Sequence, residues 1–578
     1  MNQTLTFAGI PARWELSFER SGDASPALVL RGPNREALRV DAGLSVTAHT
    51  RWRGTSERFG EDPEFDFTLS SPRGNGRRIS IRWLGYAFQL FVDGVLEDEE
   101  WPLGELPEGP WTLEAAEGIE GIALRAIDAP EEAAETAFDG AFQDYNHPGH
   151  NTGVGDCMPF ARDGRWCLYY LLDRRGHRSK RGLGAHQWAQ VSTDDLRHWT
   201  IHPMAVGITE QWEGSICTGS LIQKDGKTYA FYAVRMSDGS PARLTWAESA
   251  DGVHFEKSGK YFSLTAPYEP VSARDPNVFL GADGLYHMLV TTSLLDGGRY
   301  GGCLAHLTSP DLMDWTQHEP FIIPGYSDQP ECSDYFEWNG WYYLVFSNFA
   351  IARYRMSRQP FGPWIRPEND LLDALEVQVP KTAPFKGRRL SSGFLARRPR
   401  SYAGNAVTHE LFQRPDGTLG LKQAEELLPA AKATRVIAPI QLSAPQGRAE
   451  AALSEVSGAF RLKATLRAEG AGALFGLTLG DRRDGIRVEF DPAARTAVIL
   501  RPSEDFGQGA GRDLARCVEL AGDVPIDVLV MGDILDIMFG DGRCMTLRMD
   551  APVSPGARIA LYAQCGALSA SRIELQTF

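Results

Sequence analysis

One phrase recurs four times in the middle of the chain, and this repeat limits the possible folds more than any other feature. Each copy opens with an Asp-Gly or Asn-Gly turn and continues into a strand rich in aromatic residues, which predicts a tight β-hairpin. The turns begin at Asp163, Asp225, Asp283 and Asn339. Phrases of the type Ser/Thr-x-Asp-x-x-x-Trp/Phe lie between them, at 193–199, 249–255 and 309–315. Such repeats of short strands predict propeller blades, and a fainter fifth copy at 388–421 would close a five-bladed ring.

Alternating strand patterns flank the repeats on both sides. Residues 78–104 form a hairpin pattern around an Asp-Gly turn, which predicts a lectin-like β-sandwich over residues 1–135. A Pro-containing acidic run at 128–135 predicts a linker or a short surface helix. Alternation returns in the last segment. We therefore expect an all-β chain with a sandwich at 1–135, a five-bladed propeller at 140–425 and a second sandwich at 430–578.

Charge and cysteine content restrict the partners. The chain has 59 Lys and Arg against 75 Asp and Glu, a net charge of -16, which disfavours nucleic acid or an anionic membrane and favours a neutral substrate. The first residues lack a signal-peptide pattern and no stretch is apolar enough to span a bilayer, so we expect a cytoplasmic protein. Eight cysteines form no CxxC pair and no zinc spacing, which predicts reduced thiols with no metal and no cofactor. The oligomeric state stays open.

Three acids in three short phrases supply candidate chemistry. Asp156 lies in Gly-Asp-Cys-Met-Pro, Asp275 in Arg-Asp-Pro and Glu331 in Glu-Cys, each just before a predicted strand. A glycosidase needs one carboxylate to attack or stabilise the sugar carbon and one acid to protonate the leaving oxygen. Singly, the Gly-Asp phrase is more typical of a turn and the Arg-Asp-Pro phrase of a capped loop, and Glu-Cys alone carries almost no information. Their joint occurrence at blade spacing favours a catalytic role, and we expect the three acids to meet in one axial pocket.

Two cysteines, Cys157 and Cys332, stand directly beside these acids. A nucleophilic thiol remains one interpretation. The favoured interpretation is a small apolar residue that packs the floor of the site, because no His or Asn stands next to either cysteine.

Over residues 145–578 the chain resembles glycoside hydrolase family 32, the β-fructofuranosidases. Arg274-Asp275-Pro276 and Glu331-Cys332 match that family's Arg-Asp-Pro and Glu-Cys phrases, and Asp156 corresponds to its nucleophile phrase. Further similarities lie at 188–199, 218–220, 381–390 and 533–539. The resemblance implies a propeller followed by a sandwich, with Asp156 as nucleophile, Asp275 as transition-state stabiliser and Glu331 as acid/base of a retaining reaction.

The chain departs from the family in two places that contact fructose. The family's Asn before the nucleophile is replaced by Gly155, and the Gln after its first inner strand is replaced by Leu171. The three acids are present, but two residues that contact fructose in the family are replaced. This combination favours retaining chemistry on an altered furanoside or an altered aglycone over plain sucrose hydrolysis.

Candidate substrate contacts are drawn from the same segments. They are Asp173, His177, His186, Trp188, Trp212, Glu213, Thr218, Arg274 and Trp338. Aromatic residues in propellers more often pack than bind, and a solvated loop explains His177 and the arginines before it equally well.

Two other functions remain compatible with the sequence. The chain could be an arabinofuranosidase of the related family 43, or a non-catalytic carbohydrate-binding protein, which the shortened nucleophile phrase and the two sandwiches allow. Retention of all three acids argues against the binding protein. In each case the expected partner is an oligosaccharide, a polysaccharide or a small furanoside.

Overall fold

The computed structural model describes residues 3–21, 28–41, 43–56, 58–72, 76–128, 134–139, 142–372, 376–397, 401–470, 472–480, 485–500, 514–516 and 518–578. Nearly all regular structure in these ranges is β, as predicted. The exceptions are short 3₁₀ helices at Phe142–Asp144, Ser179–Gly182, Gly298–Tyr300 and Glu425–Leu427. In the described part of the chain, no helix is both long enough and apolar enough to cross a membrane.

The N-terminal segment forms two antiparallel sheets around one core. Its strands are β1 (Gln3–Phe7), β2 (Trp14–Arg20), β3 (Leu28–Arg31), β4 (Glu36–Asp41), β5 (Ser45–Arg51), β6 (Thr55–Ser56), β7 (Gly60–Glu61), β8 (Glu64–Ser70), β9 (Arg78–Trp83), β10 (Phe88–Val92), β11 (Val95–Glu100), β12 (Trp111–Ala115) and β13 (Ile119–Ala126). The sheet orders are β1-β12-β3-β4-β5-β8 and β11-β10-β9-β2-β13. Alternate residues of each strand point inward, as in β8, and both sheets bury them in a shared core around Trp14 and Trp111.

Five blades of antiparallel strands follow. Blade 1 contains β14 (Thr136–Asp139), β15 (Thr152–Arg162), β16 (Arg165–Arg174), β17 (Gln187–Thr193) and β18 (His198–Ile201). Blade 2 contains β19 (Glu213–Lys224), β20 (Lys227–Met236), β21 (Arg243–Ser249) and β22 (Glu256–Phe262). Blade 3 contains β23 (Arg274–Leu280), β24 (Tyr286–Ser293), β25 (Gly302–Ser309) and β26 (Thr316–Gln317). Blade 4 contains β27 (Glu331–Trp338), β28 (Trp341–Asn348) and β29 (Ile351–Ser357). Blade 5 contains β30 (Val377–Phe385), β31 (Arg388–Ala396), β32 (Gly404–Gln413) and β33 (Leu419–Lys422).

The ring closes between the first and last blades. Val154 of β15 pairs with Gly404 of β32, so blades 1 and 5 share one hydrogen-bonded sheet. Strand β14 lies just before residue 140, where the propeller was expected to begin, and it pairs with β18 of blade 1. Residues 129–133 of the predicted linker lie outside the described residues.

The innermost strand of every blade carries the same irregularity. In β15, β19, β23, β27 and β30, two residues of the innermost strand lie opposite one residue of its partner, directly after Val154, Ile216, Arg274, Glu331 and Gln378 respectively. A β-bulge of this kind bends the strand and redirects a side chain. The sequence placed each acid before a strand, and this detail was wrong. Asp156 and Asp275 lie inside these bulges and Glu331 lies directly before one, so all three belong to innermost strands.

The C-terminal segment wraps a single sheet around its own core. Its strands are β34 (Ala433–Ile437), β35 (Ile440–Val456), β36 (Phe460–Glu469), β37 (Leu474–Leu479), β38 (Ile486–Asp491), β39 (Thr496–Leu500), β40 (Leu514–Arg516), β41 (Val524–Met531), β42 (Ile534–Phe539), β43 (Arg543–Arg548) and β44 (Ala557–Thr577). Strand β44 pairs with β34, β35, β36 and β37 along its length. The curled sheet therefore forms both layers of a sandwich.

Buried polar contacts tie both sandwiches to the propeller. On one side, Asp536 of β42 accepts hydrogen bonds from Gln423 and Thr546 and contacts His409 of blade 5 at 2.8 Å. On the other side, the acids at the end of β11 hold the segment after β16: Asp98 and Glu100 pair with Arg175. These contacts fix the segment 173–186, which forms one wall of the axial cavity described next.

Candidate active site

A cavity of about 220 Å³ lies where the bulges of the innermost strands converge. Strand residues that line it include Asp156, Thr218, Arg274, Asp275, Glu331 and Val379. Asp275 and Val379 adopt φ of 56° and 43°, a backbone region that residues other than glycine rarely occupy. The ring of bulges thus brings three acids together that are far apart in sequence, as the sequence predicted. The volume is below the roughly 300–1,000 Å³ of drug-sized pockets, and it suits a single sugar unit.

Both oxygens of Asp156 accept hydrogen bonds. Tyr402 donates its hydroxyl to Oδ1 at 2.5 Å, Thr218 donates to Oδ2 at 2.5 Å, and the thiol of Cys332 donates to Oδ2 at 3.3 Å. The three donors fix its orientation toward the cavity.

Glycine at position 155 leaves room for this arrangement. A Cβ atom there would lie 2.6 Å from the Tyr402 hydroxyl oxygen, so any other residue would require the Tyr402 side chain to move. The same hydroxyl accepts the backbone N–H of Asp156 at 3.2 Å. Tyr402 therefore occupies the space that a side chain before the acid would fill.

Asp275 is almost fully buried, and its surroundings combine a cation with a backbone donor. The N–H of Cys332 donates to Oδ2 at 3.2 Å, and Nε of Arg274 lies 3.6 Å from the same oxygen. Burial raises the pKa of Asp275, and the Arg274 guanidinium opposes that shift. One oxygen of Asp275, one of Asp156 and the sulfur of Cys332 all lie within 4.8 Å of one another.

Glu331 occupies a half-buried position with its side chain 31% exposed. Arg274 donates from Nη2 to Oε1 at 2.9 Å. Burial raises the pKa of Glu331 to about 7, with Asp275 and Asp156 raising it and Arg274 lowering it. This acid therefore holds a proton at neutral pH far more readily than an ordinary glutamate.

The cysteines beside the acids are buried and neutral. Burial raises the pKa of both Cys157 and Cys332 well above the usual value, and the neighbouring carboxylates raise it further. The described cysteines are all free thiols, and Cys517 lies outside the described residues. Their geometry agrees with packing and hydrogen bonding, since a thiol without a base to ionise it is a poor nucleophile.

Two imidazoles form a further part of the cavity wall. His177 and His186 line the cavity and pack against Tyr402 at ring distances of 4.2 and 4.6 Å. Asp173, behind them, contacts His186 Nε2 at 3.0 Å and accepts the backbone N–H groups of Gly176 and His177. Burial lowers the pKa of His177 to about 4, so its ring is neutral at pH 7. These residue types could ligate a divalent ion, but the hydrogen bonds of Asp173 already account for both of its oxygens, and we assign it to orienting His186.

The comparisons with known proteins point to one family. The model of the glycosyl hydrolases family 32 N-terminal domain matches residues 158–359, a span that contains Asp275 and Glu331. Over this span the chain is similar to glycosyl hydrolase family 32. A sucrose-6-phosphate hydrolase of Escherichia coli is 30% identical over 174 residues, 28% of this chain and 35% of that protein. A sucrose-6-phosphate hydrolase of Salmonella typhimurium is 29% identical over 177 residues, 29% of this chain and 37% of that protein. The matches thus span little more than a third of these relatives' length.

Solved structures of family 32 proteins share the fold over a longer stretch. Sucrose-6-phosphate hydrolase from Lactobacillus gasseri is 20% identical with a TM-score of 0.56, covering 72% of this chain and 90% of that chain. Exo-inulinase from Aspergillus awamori is 15% identical with a TM-score of 0.60, covering 76% of this chain and 99% of that chain. At these identities the likeness concerns the propeller and sandwich architecture.

Several residues that the sequence analysis proposed as sugar contacts lie outside the cavity. Trp188 is fully buried and donates its Nε1 to Cys217 O at 2.9 Å. Glu213 is buried and paired with Lys257 at 2.5 Å. Trp212 packs under the guanidinium of Arg243 at 4.4 Å. Trp338 ends strand β27 at its far turn, seven residues from Glu331 and about 23 Å away at 3.3 Å per residue.

Other cavity residues escaped the sequence analysis. Tyr402 comes from the segment between β31 and β32, and Arg235 from the end of β20. Neither lies in a phrase with a recognisable pattern. The one available signal was Gly155, because a glycine in place of the family's Asn indicates that another group has moved close to the backbone.

Proposed function

We propose that the chain is a retaining glycoside hydrolase that releases a fructofuranosyl unit by double displacement. The observation that carries this proposal is the contrast between two carboxyls in one cavity. Asp156 accepts hydrogen bonds at both oxygens, whereas burial and two carboxylate neighbours raise the pKa of Glu331 to about 7. Titratable pairs whose environments push their protonation states apart are typical of acid–base catalysis in glycosidases.

In the first step, Glu331 donates its proton to the glycosidic oxygen while Asp156 attacks the anomeric carbon. The bond to the leaving group breaks and an ester to Asp156 forms. In the second step, the ionised Glu331 takes a proton from water, the water oxygen bonds to the anomeric carbon, and the ester breaks. Glu331 is reprotonated and Asp156 is free again, so the product keeps its anomeric configuration.

Asp275 and Arg274 would hold the sugar during both steps. Arg274 contacts both Asp275 and Glu331, so its position couples sugar binding to the acid. Charge-assisted hydrogen bonds to ring hydroxyls that tighten as the oxocarbenium-like transition state forms are worth several kcal/mol in such enzymes. The cation also prevents three neighbouring acids from destabilising the fold by mutual repulsion.

The substrate class follows from the relatives and from the cavity. Curated relatives are named sucrose-6-phosphate hydrolases, and structural relatives include an exo-inulinase and a β-fructofuranosidase complexed with fructosyl-erythritol. A cavity of about 220 Å³ suits one terminal fructosyl unit better than an internal stretch of polymer. We therefore propose β-fructofuranosides with a small or short leaving group.

The experiment is a substrate panel followed by stereochemical analysis. Sucrose, sucrose 6-phosphate, 1-kestose, levan, inulin and an aryl α-L-arabinofuranoside are incubated with the wild-type protein, and released sugars are quantified by chromatography. We expect fructose release from at least one small fructoside, with retained configuration by NMR of the first product. If only the arabinofuranoside is cleaved, the enzyme releases arabinose and not fructose. A product with inverted anomeric configuration would exclude the covalent ester to Asp156.

A further inference from the structure

Three arginines from different parts of the chain gather at one side of the axial cavity. Arg235, at the end of β20, lines the cavity itself. Arg181 lies in the 3₁₀ turn Ser179–Gly182, between His177 and His186 of the cavity wall. Arg58 comes from the N-terminal sandwich, which supplies none of the site carboxylates. All three side chains are exposed, so they face solvent at the mouth of the site rather than the core.

The three arginines lie close enough for Arg235 and Arg181 to act electrostatically on Arg58. Arg58 donates from Nη2 to the backbone oxygen of Arg181 at 2.9 Å. A Cβ built on Gly239, in the loop that follows β20, would lie 3.7 Å from Cβ of Arg58. Arg58 therefore bridges the turn that carries Arg181 and the loop just beyond Arg235. Aromatic rings support two of the guanidinium groups: Arg58 lies 5.0 Å above Phe59 and Arg181 lies 4.8 Å above Phe65.

The N-terminal sandwich also fixes the turn that presents Arg181. Glu100 of β11 accepts the backbone N–H of Lys180 at 3.0 Å, and the Lys180 ammonium donates to Gln211 O at 3.0 Å. Lys180 and Arg181 adopt φ of 49° and 54°, a conformation that persists only where neighbours enforce it. The turn is thus held in place from the sandwich side before any ligand arrives.

Among the described residues, no carboxylate neutralises the positive charge of this cluster. Within the described ranges, none of the three guanidinium groups has a carboxylate within ion-pairing distance. Burial lowers the pKa of Arg58, and the like charges of Arg235 and Arg181 lower it further. In a chain of net charge -16, three clustered cations beside a sugar cavity, with no ion-pair partner among the residues that the structure describes, are the arrangement of an anion site.

We propose that Arg58, Arg181 and Arg235 form an anion subsite that binds the phosphate or carboxylate of a charged sugar whose fructosidic bond lies at Asp156 and Glu331. The assignment rests on the proposed function. Guanidinium groups match both anions because their planar N–H pairs fit two oxygens at once. The N-terminal sandwich then has a role in specificity, since it supplies Arg58 and holds the Arg181 turn.

The first test compares specificity ratios. The kcat/KM of sucrose 6-phosphate, of a sucrose derivative with a carboxylate at the same carbon, and of sucrose is measured for wild type, Arg58→Gln and Arg181→Gln. Loss of one charge-assisted contact should reduce the ratio of charged to neutral substrate about 10- to 100-fold, mainly through KM. The anion that shows the larger reduction identifies the group bound. Arg53→Gln is the matched control, because Arg53 is an exposed arginine of the same sandwich paired with Glu108, and its ratio should stay at the wild-type value.

The second test does not depend on hydrolysis. Inorganic phosphate and glucuronate are titrated into wild type, Arg58→Gln and Arg53→Gln by calorimetry in low salt, after circular dichroism has established that each variant is folded. Binding that weakens at least 10-fold in Arg58→Gln alone supports the subsite even if no fructoside is cleaved. Equal ratios in all variants together with equal binding of both anions would overturn the anion subsite and leave the proposed hydrolase untouched.

Discussion

Arg274 donates a hydrogen bond from Nη2 to Oε1 of Glu331 at 2.9 Å while its Nε lies 3.6 Å from Oδ2 of Asp275. One guanidinium thus serves two carboxyls from neighbouring blades. Its charge lowers the pKa of Glu331 against the opposing effects of burial and of Asp275 and Asp156, and the balance lies at about 7. The pKa of the acid Glu331 in blade 4 therefore depends on Arg274, which belongs to the neighbouring blade 3.

The first prediction concerns pH. Glu331 must hold a proton to act as the acid, and its raised pKa is about 7, so kcat/KM should be high below that pH and fall as pH rises through about 7. Arg274→Gln removes the cation that lowers this pKa, so the descending limb should move to higher pH while the maximal rate falls. The pH profile of kcat/KM measures both. A limb that stays in place in the variant would assign the titration to another group.

Glu331→Gln tests the acid itself. Removing a general acid typically costs about 10²- to 10⁴-fold, and least where the leaving group needs no proton. Cleavage of sucrose or kestose should collapse, whereas the burst of phenol from an activated aryl fructofuranoside should persist. Glu337→Gln, an exposed residue of the same strand, is the control and should behave as wild type. Mild and equal losses on both substrates would make Glu331 structural.

Asp156→Asn should abolish both reactions, because an amide cannot form the sugar ester. Stopped-flow analysis of the aryl fructofuranoside should show no burst, and mass spectrometry of the wild type with a slow fluorinated substrate should find the added sugar on the peptide that contains Asp156. Asp163→Asn lies in the exposed turn after the same strand and preserves an Asn-Gly turn, so it should retain activity. A burst in Asp156→Asn would contradict the assignment.

Tyr402→Phe removes the hydroxyl that donates to Asp156 Oδ1 at 2.5 Å. The carboxylate loses one of its orienting donors, so kcat should fall about 10-fold or more with a smaller change in KM. Tyr343→Phe is matched to it, because Tyr343 is also buried and donates its hydroxyl, to Gly417 O at 2.5 Å. Both variants should lose similar stability in thermal unfolding, but only the first should lose rate. Equal kcat in the two would show that Tyr402 only packs.

Asp98→Ala breaks a buried ion pair between the N-terminal sandwich and the propeller. The side chain of Asp98 is 0% exposed and that of Arg175 is 17% exposed, so the remaining guanidinium would be left buried with reduced compensation. Removing one partner of such a pair costs about 3–5 kcal/mol. Urea unfolding should register this loss, whereas Glu108→Ala, which breaks the exposed pair with Arg53, should cost under about 1 kcal/mol. A change below that limit in Asp98→Ala would mean that the two units are stabilised independently.

Much of the fold could be predicted because it depends on local patterns. Asp-Gly turns followed by aromatic strands specify hairpins through backbone geometry alone, and β16, β20, β24 and β28 follow the predicted turns. The turn at 193–199 also depends on local hydrogen bonds. Thr193 accepts the backbone N–H of Leu196, and Asp195 accepts that of His198. Strand β14 was missed because its only partner, β18, is about sixty residues away, and four residues carry too little pattern to reveal such a pairing.

The same contrast between local patterns and distant contacts applies to the residues of the candidate active site. The three acids could be found because short phrases of fixed chemistry surround them, and the blade repeat placed them at equivalent points of successive strands. Trp188, Glu213 and Trp338 show the limit of that reasoning, because Trp188 faces the core, Glu213 pairs with a lysine and Trp338 lies at the far end of its strand. Which direction it faces depends on the bulges and on blade packing, and these involve partners distant in the chain.

By itself, the sequence determined the all-β class, the order of the units and the three carboxyls at the axis, because hairpin turns, strand alternation and short motifs act over a few residues. Only the tertiary structure decided that Tyr402 fills the space left by Gly155, that Arg274 links Glu331 to Asp275, and that Arg58 of the first sandwich reaches the mouth of the propeller cavity. Those relationships join residues between 56 and 247 positions apart. They depend on ring closure and domain contacts, which no local pattern encodes.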